Sequence, residues 1–434
     1  MAVQEERTPR RRWRIASLLG FGVMVNYVDR VNLSVSQAAL FHDFGISLIT
    51  FGYLSSAYNV TYALLQLPTG VVLDRFGVRR VGRLSILLWS AASFWAAMAR
   101  GLNGFIGARL LLGVGEAPTF PSNAKAIATW FPVAERGLPT AVFDASAKLA
   151  PAVGVPLLGV LIVQFGWRAS FAATGVLSLL YFALFYRVYR EPGEDADLSA
   201  RERSYIEQGS TGVAEVGEGM SLWGLLRRRK VLGVALGMGA YNYSFYLLLA
   251  WLPSYLSVMF HIDLLHSALL TAIPWIFATV VDVVIGGWMV DTLIRRGWDA
   301  DRVRRWVLIG GTVCGLGLVG AGEARSVTVA LLWISLSLGG LATAAPVLWS
   351  VPGLIVGRGS VGKVGGIANF WGQVSAIGAP ILTAHSVDHT HSFRTAFQVA
   401  GAYLLLGIAS YVMLLGRLER VRGEGELRGG AGGA

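Results

Sequence analysis

An aspartate and an arginine stand side by side, as Asp29 and Arg30, within an apolar run from Ile15 to Leu40. The run has the length of a membrane-spanning helix. A charged side chain at mid-bilayer costs at least ~2.5–3.5 kcal/mol on insertion scales, so each charge needs a protein or water-filled environment. Neighbouring helical residues point about 100° apart, which makes these two poor partners for each other. They are therefore predicted to serve different partners.

Tyr27, Arg30 and Ser34 share one face of this helix because they follow i, i+3, i+7 spacing. We expect this face to line a central cavity, where the guanidinium fork of Arg30 suits a carboxylate and Tyr27 adds a hydrogen bond. Asp29 then turns toward a neighbouring helix. The alternatives stay open, since Arg30 can form a structural salt bridge, and Asp29 can carry a proton, act in gating or brace two helices.

A second pair of charges, Arg109 and Glu116, lies seven residues apart on one helix face. Pro118 and Pro121 follow, and prolines free backbone carbonyls, which a membrane tolerates only where protein or water satisfies them. A desolvated carboxyl favours its protonated form, so Glu116 could take up a proton on one side of the membrane and release it on the other. We expect Arg109 to tune an acid, and the competing interpretation is a permanent pair with Glu116 or Asp29.

Asp144 and Lys148, four residues apart in F-D-A-S-A-K-L-A, can pair on one helix face. The simpler interpretation is a self-compensating pair within the helix. In the sharper one, Lys148 contacts a second acidic group of a bound anion, or pairs with Asp282 from a later apolar run. The sequence leaves these alternatives open.

Twelve apolar runs must position these residues, since about 20 mostly apolar residues cross a bilayer. The runs are 15–40, 47–73, 81–99, 102–130, 137–163, 167–189, 229–259, 264–290, 305–322, 327–351, 364–387 and 393–416. Only 15% of the 434 residues are charged, against about 25% in soluble domains, which favours an all-α polytopic membrane protein. The net charge of +11 falls in short clusters between runs, so nucleic acid binding is not expected.

The loops alternate between arginine-rich and arginine-poor, which places both termini in the cytoplasm by the positive-inside rule. The longest connection divides the chain into an N-terminal six-helix half at 1–190, a cytoplasmic linker at 191–228, and a C-terminal six-helix half at 229–434 with a short cytoplasmic tail. Within the linker, L-S-A-R-E predicts a short interfacial helix with Ser199 as its N-cap.

The two halves repeat a short segment, G-V-V-L-D-R-F-G-V-R-R from Gly70 to Arg80 and G-W-M-V-D-T-L-I-R-R-G from Gly287 to Gly297. The glycine of each copy permits close helix approach. The charged residues of these loops are predicted to form latches at the cytoplasmic surface, and they include Asp74, Arg75, Arg79 and Asp291. Parallel repeats are typical of secondary transporters, whose binding site lies between the halves near the midplane.

The Gly70–Arg80 stretch resembles the cytoplasmic loop motif of the major facilitator superfamily. Further segments narrow the resemblance to its anion:cation symporter family, and they are N-Y-V-D-R-V-N-L-S-V-S (26–36), R-L-L-L-G-V-G-E-A-P-T-F-P-S-N (109–123), A-T-W-F-P-V-A-E-R-G (128–137), L-A-W-L-P-S-Y-L (249–256) and G-G-I-A-N-F-W-G-Q-V-S-A-I-G-A-P-I (365–381). The similarity runs from about 15 to 420. Members of this family carry hexuronates, aldonates, aldarates and other organic anions, usually with protons.

The resemblance implies that the acids at the positions of Asp29 and Glu116 couple protons, and that Tyr62 and Gln373 lie nearest the hydroxyl groups of a sugar acid. Further candidate ligands are Asn242, Tyr246, Trp349 and Asn369, although interhelical hydrogen bonding or packing would also account for them. Ala147 departs from the family, which often has a polar residue there, so the exact substrate stays open.

The sequence therefore predicts a multi-pass transporter in the bacterial inner membrane that imports a sugar acid by proton symport with alternating access. It is expected to act as a monomer, without enzymatic activity, cofactor or metal. One alternative is an anion exchanger for dicarboxylic or phosphorylated compounds that uses Arg30 and Lys148. Another is a ligand sensor without net flux.

The G-L-G-L-V-G pattern at Gly315–Gly320 lacks the strand that a dinucleotide site needs, and is interpreted as helix packing.

Overall fold

The computed structural model describes residues 10–132, 135–210 and 220–419, which contain helices and no strand. The predicted all-α class is therefore confirmed for these ranges. The membrane orientation was predicted partly from the charges of the termini and of the linker. Parts of these segments, at 1–9, 211–219 and 420–434, lie outside the described residues.

The helices follow the predicted spans closely. The first eight are α1 Arg11–Val35, α2 Gln37–Phe44, α3 Leu48–Met98, α4 Leu102–Glu116, α5 Thr119–Trp130, α6 Gly137–Val188, α7 Ala200–Ser210 and α8 Leu222–Leu226. The next are α9 Arg229–Phe260, α10 Leu264–Val281, α11 Val290–Arg295, α12 Ala300–Gly315, α13 Gly317–Gly322, α14 Val327–Ile355, α15 Arg358–Thr390 and α16 Arg394–Ser410, with π-helical segments at Asp282–Met289 and Tyr411–Leu415. The pairs α4–α5 and α12–α13, and α10 with its π-helical continuation into α11, each correspond to one predicted span.

Two single glycines reverse the chain between consecutive spans. The helices α3 and α6 each cover two predicted spans, and each contains one residue with non-helical angles, Gly77 at φ 75° and Gly166 at φ 81°. A residue with a Cβ rarely adopts positive φ, so glycine is required for these short reversals.

Seven helices in the described ranges are long and apolar enough to cross a membrane. The helix α1, which carries Asp29 and Arg30, is not among them, and neither are the short helices α4 and α5. Most of the residues predicted to bind the substrate or protons lie in these segments. Charged and helix-breaking residues lower the apolar character of a span.

The chain forms two compact units, the first comprising Met1–Ile46 with Ala57–Ala214 and the second Ser47–Ser56 with Glu215–Ala434. In the first unit, α1 packs along α6, where Gly20 lies against Val142 and Gly154 against Val28. In the second unit, α9, α12, α14 and α15 share one apolar core.

A carboxylate from the linker covers the N-terminus of α1. The first backbone N–H groups of a helix have no partner within the helix. Those of Arg11 and Arg12 donate to the two oxygens of Glu202 at 3.1 Å each, and the Arg12 guanidinium binds the same carboxylate at 3.0 Å. Glu202 is fully buried, and Ser199 caps its helix by accepting from the Glu202 N–H at 3.2 Å. The linker helix α7 is thus fastened to α1 inside the first unit.

Replacing Glu202 by alanine is expected to lower the midpoint of thermal unfolding of the purified protein by at least ~5 °C, because it leaves the first helix N–H groups without their acceptor and the buried Arg12 guanidinium with Glu135 as its remaining carboxylate partner. The measurement is a melting curve in detergent. Glu207→Ala, at an exposed position on the same helix, is the matched control and should melt like the wild type. Equal midpoints for the two variants would show that the cap contributes no stability.

Candidate functional site

A buried ion pair joins α1 to α4 in the first unit. Arg30 donates from Nε to Glu116 Oε2 at 2.8 Å, although the two residues are 86 positions apart in the sequence. Glu116 is 0% exposed and Arg30 is 5% exposed. Removing one partner of such a pair leaves an uncompensated buried charge, so each group depends strongly on the other.

Three tyrosines surround the guanidinium group of Arg30. Its Cζ lies 4.3 Å from the ring centre of Tyr27, 4.8 Å from that of Tyr58 and 5.2 Å from that of Tyr62. Tyr27 lies one turn before Arg30 on α1, whereas Tyr58 and Tyr62 are neighbours on one face of α3. The negative faces of the rings stabilise the cation where water is excluded. The arrangement makes a cationic anchor with one acidic partner.

Close packing at two glycines of α4, Gly113 and Gly115, holds the part of the helix next to Glu116 against α3. A Cβ at Gly113 would overlap the Thr61 hydroxyl and the Tyr58 carbonyl oxygen, and a Cβ at Gly115 would meet the backbone N of Trp89 at 2.6 Å. The helix therefore lies directly against both halves of α3. Small residues permit this approach between membrane helices.

The break between α4 and α5 follows from the prolines after Glu116. Pro121 has no N–H to donate to the carbonyl of Ala117, four residues earlier. The side-chain amide of Gln66 donates to that carbonyl oxygen instead, at 3.4 Å. The carbonyl freed by the proline is thus satisfied by α3, as an apolar surrounding requires.

Arg109 does not form the ion pair that its spacing with Glu116 suggested. Its guanidinium Cζ lies 5.4 Å from the ring centre of Tyr58, and its Nε and Nη1 have no hydrogen-bond acceptor within the described ranges. The permanent pairing of Arg109 with Glu116 is therefore wrong for this structure, because the carboxylate binds Arg30 of α1 instead.

Asp29 faces away from this cluster and is nearly completely buried. One of its oxygens accepts a hydrogen bond from Ser93 of α3 at 2.8 Å, and the other accepts one from Ser178 of α6 at 2.9 Å. The carboxyl group thus links α1 to two neighbouring helices through hydroxyl groups. A change in its protonation would alter those links.

On α6, Lys148 binds Asp144 at 2.6 Å, and the lysine side chain is almost fully buried. This geometry corresponds to the simpler interpretation, a pair within one helix. An aromatic row connects the region to α1, since Tyr27 contacts Phe120 of α5 and Phe120 contacts Phe143 of α6.

The remaining candidate ligands lie in the second unit. Asn242 and Tyr246 are buried on α9, and the Asn242 amide donates to the Met238 carbonyl oxygen at 3.0 Å. On α15, Gln373 is buried and Asn369 is partly exposed, whereas Trp349 of α14 is 47% exposed. The last candidate, Asp282, is buried where the π-helical segment begins. Within this unit, Gly372 places α15 against the Asn242 side chain, since a Cβ there would lie 2.5 Å from its Nδ2.

Asp74 and Arg79 of the first repeated loop segment each pair with another part of the chain. Asp74 binds Lys125 of α5 at 2.7 Å, and Arg79 binds Glu194 of the linker at 2.6 Å. Arg75 lies over the ring of Phe76, and Asp291 is exposed, with its backbone oxygen accepting from Arg295. The prediction that Asp74 forms a latch with the loop arginines is therefore wrong, because Asp74 binds Lys125 instead.

Sequence reasoning missed Tyr58, Ser93 and Ser178, which hold the predicted charges in place. The i, i+4 spacing of Tyr58 and Tyr62, in a polar stretch of an apolar run, could have indicated Tyr58. Serines within spans are too common to single out Ser93 and Ser178.

Comparisons with known proteins agree with this architecture. A family model described as Major Facilitator Superfamily matches residues 19–380. The chain is 36% identical to an uncharacterized transporter of Bacillus subtilis (strain 168), over 97% of this chain and 98% of that protein. It is 32% identical to a probable L-galactonate transporter of Escherichia coli (strain K12), over 92% of this chain and 88% of that protein.

Among solved structures, the inward-open xylose transporter XylE from E. coli superposes with a TM-score of 0.75. That alignment covers 95% of this chain and 98% of the other at 15% identity, so it concerns the fold alone.

Proposed function

This chain belongs to the Major Facilitator Superfamily and is a multi-pass membrane transporter, not an enzyme, and we propose that it imports a sugar acid together with protons. The predicted fold of two six-helix halves and the predicted family are thereby confirmed. The relative named for L-galactonate supports a small organic anion as the substrate class.

One observation carries the proposal, the buried contact of 2.8 Å between Arg30 and Glu116. An anionic substrate needs a cationic ligand, and a guanidinium fork suits a carboxylate. In this structure that fork already has a carboxylate partner. Substrate and Glu116 therefore compete for the same cation, and a proton on Glu116 decides the competition in favour of the substrate.

The transport cycle follows from this competition. Outside, Glu116 takes a proton and gives up its charge, and Arg30 binds the substrate carboxylate. Tyr27 and Tyr62, already at the guanidinium group, donate hydrogen bonds to the substrate. After alternating access exposes the site to the cytoplasm, Glu116 loses its proton, binds Arg30 again and expels the anion. Asp29 is the second proposed proton acceptor, acting through Ser93 and Ser178.

The other predicted ligands keep proposed roles. Gln373, Asn369, Asn242 and Tyr246 offer hydrogen bonds for the hydroxyl groups of a sugar acid, and Trp349 offers a stacking surface. Arginine-rich loops support cytoplasmic termini in a bacterial inner membrane. A monomer suffices for this cycle, because the Arg30–Glu116 pair lies within one unit of one chain.

Reconstitution into proteoliposomes tests the function directly. Labelled galactonate, glucuronate, galacturonate and glucarate are offered with an acidic exterior or with equal pH on both sides. We expect the gradient to drive accumulation of at least one of them above the external concentration. Uptake that ignores the gradient but is accelerated by internal substrate would indicate an anion exchanger instead, and binding without any flux would indicate a sensor.

A further inference from the structure

Two guanidinium groups share one aromatic ring in the first unit. The Cζ atoms of Arg30 and Arg109 lie 4.8 Å and 5.4 Å from the ring centre of Tyr58. Tyr58 is 2% exposed, so water does not screen the two cations there. The transport cycle described above uses Arg30 and leaves both Arg109 and Tyr58 without a role.

The charges around this ring do not balance. Arg30 and Arg109 are cationic, and Glu116 is the acid that binds one of them, while Nε and Nη1 of Arg109 lack an acceptor within the described ranges. The other charged groups of the packed helices are engaged elsewhere, Asp29 with serine hydroxyls and Lys148 with Asp144. A buried guanidinium group in this situation is attracted to nearby carboxylates, and Glu116 lies two turns along the same face of α4.

Tyr58 lies beside this stretch of α4. Its backbone lies against Gly113, which is placed between Arg109 and Glu116 on α4, and a Cβ there would overlap the Tyr58 carbonyl oxygen. Its ring meanwhile gives the Arg109 cation a favourable aromatic contact, with Cζ 5.4 Å from the ring centre. Tyr62 packs on the ring of Tyr58 at 5.5 Å between ring centres and holds it in place.

We propose that Tyr58 is a positioning residue that keeps Arg109 from binding Glu116, so that the carboxylate has a single cationic partner that the substrate can take over. This proposal rests on the proposed symport function. If Arg109 reached Glu116, a second cation would stabilise the ionised carboxylate, and protons would be captured only from more acidic solution.

The test follows protonation of Glu116 without any substrate. Infrared difference spectra of the purified protein are recorded over a pH series, and the carboxylic acid band is assigned by its loss in Glu116→Gln. Tyr58→Leu removes the ring, and Tyr58→Phe keeps it as the matched control. We expect the band of Tyr58→Leu to reach half intensity about one pH unit lower than in Tyr58→Phe, which also lacks the hydroxyl group but keeps the ring.

A second variant separates positioning from damage to the fold. In Tyr58→Leu/Arg109→Gln the misplaced cation is absent, so the pH profile should move back toward that of the wild type. A Tyr58→Leu profile unchanged from that of Tyr58→Phe, or a shift that Arg109→Gln does not reverse, would overturn the proposal. Gradient-driven uptake by the wild type is measured separately, so failure of the positioning role and failure of symport are distinguishable.

Discussion

Replacing Glu116 by glutamine is expected to abolish accumulation of the anion under a pH gradient, while exchange of labelled for unlabelled anion continues. Glutamine has nearly the same shape and can still accept a hydrogen bond from Arg30 through its amide oxygen, but it carries no exchangeable proton at this position. One proton coupled to a gradient of one pH unit supports about tenfold accumulation. The variant should therefore reach equal concentrations on both sides, as measured by proteoliposome uptake.

Glu207→Gln is the control for this experiment, since it makes the same chemical change at an exposed position of the linker helix α7. It should accumulate substrate like the wild type. Accumulation in Glu116→Gln equal to that of the wild type would remove Glu116 from the proton path. Asp29→Asn, assayed in the same way, would then become the decisive variant.

Replacing Arg30 by alanine is expected to weaken substrate binding by at least about 100-fold. The guanidinium fork offers two charge-assisted hydrogen bonds to a carboxylate, each worth ~1.5–3 kcal/mol. Within the described ranges, no other cation contacts Glu116. Binding is measured in detergent by calorimetry with the anion that wild-type proteoliposomes accumulate. Unchanged affinity would exclude Arg30 from the binding site.

Two further variants separate binding from stability. Arg30→Ala leaves Glu116 buried without its cation, which can destabilise the fold by about 3–5 kcal/mol. The double variant Arg30→Ala/Glu116→Gln removes both charges, so its melting temperature should recover while its affinity stays low. Arg30→Lys keeps the charge without the planar fork and should bind with intermediate affinity.

Local properties of the sequence were enough to predict the elements of the fold. Apolar runs can be measured against the thickness of a bilayer, so the helices were predictable without knowing their neighbours. Helix periodicity also separated Asp29 from Arg30, which the structure directs to Ser93 and Glu116 respectively. These features depend on residues a few positions apart.

The partners of the charges could not be predicted in the same way. The spacing of Arg109 and Glu116 suggested a pair along α4, yet Glu116 binds Arg30 from another helix. The choice depends on how closely α1, α3 and α4 approach, and the glycines of α4 set part of that distance. Spacing along one helix states which residues share a face, but not which neighbouring helix that face meets.

The sequence by itself determined that this protein is a helical membrane protein with an arginine and an acid in the apolar part of its first half, because hydrophobic length and helical periodicity are local properties. Only the tertiary structure decided that Arg30 and Glu116 are partners, that Tyr58 holds two cations, and that Glu202 covers the N-terminus of α1. Each of these contacts joins residues far apart in the chain, so each exists only once the helices have packed.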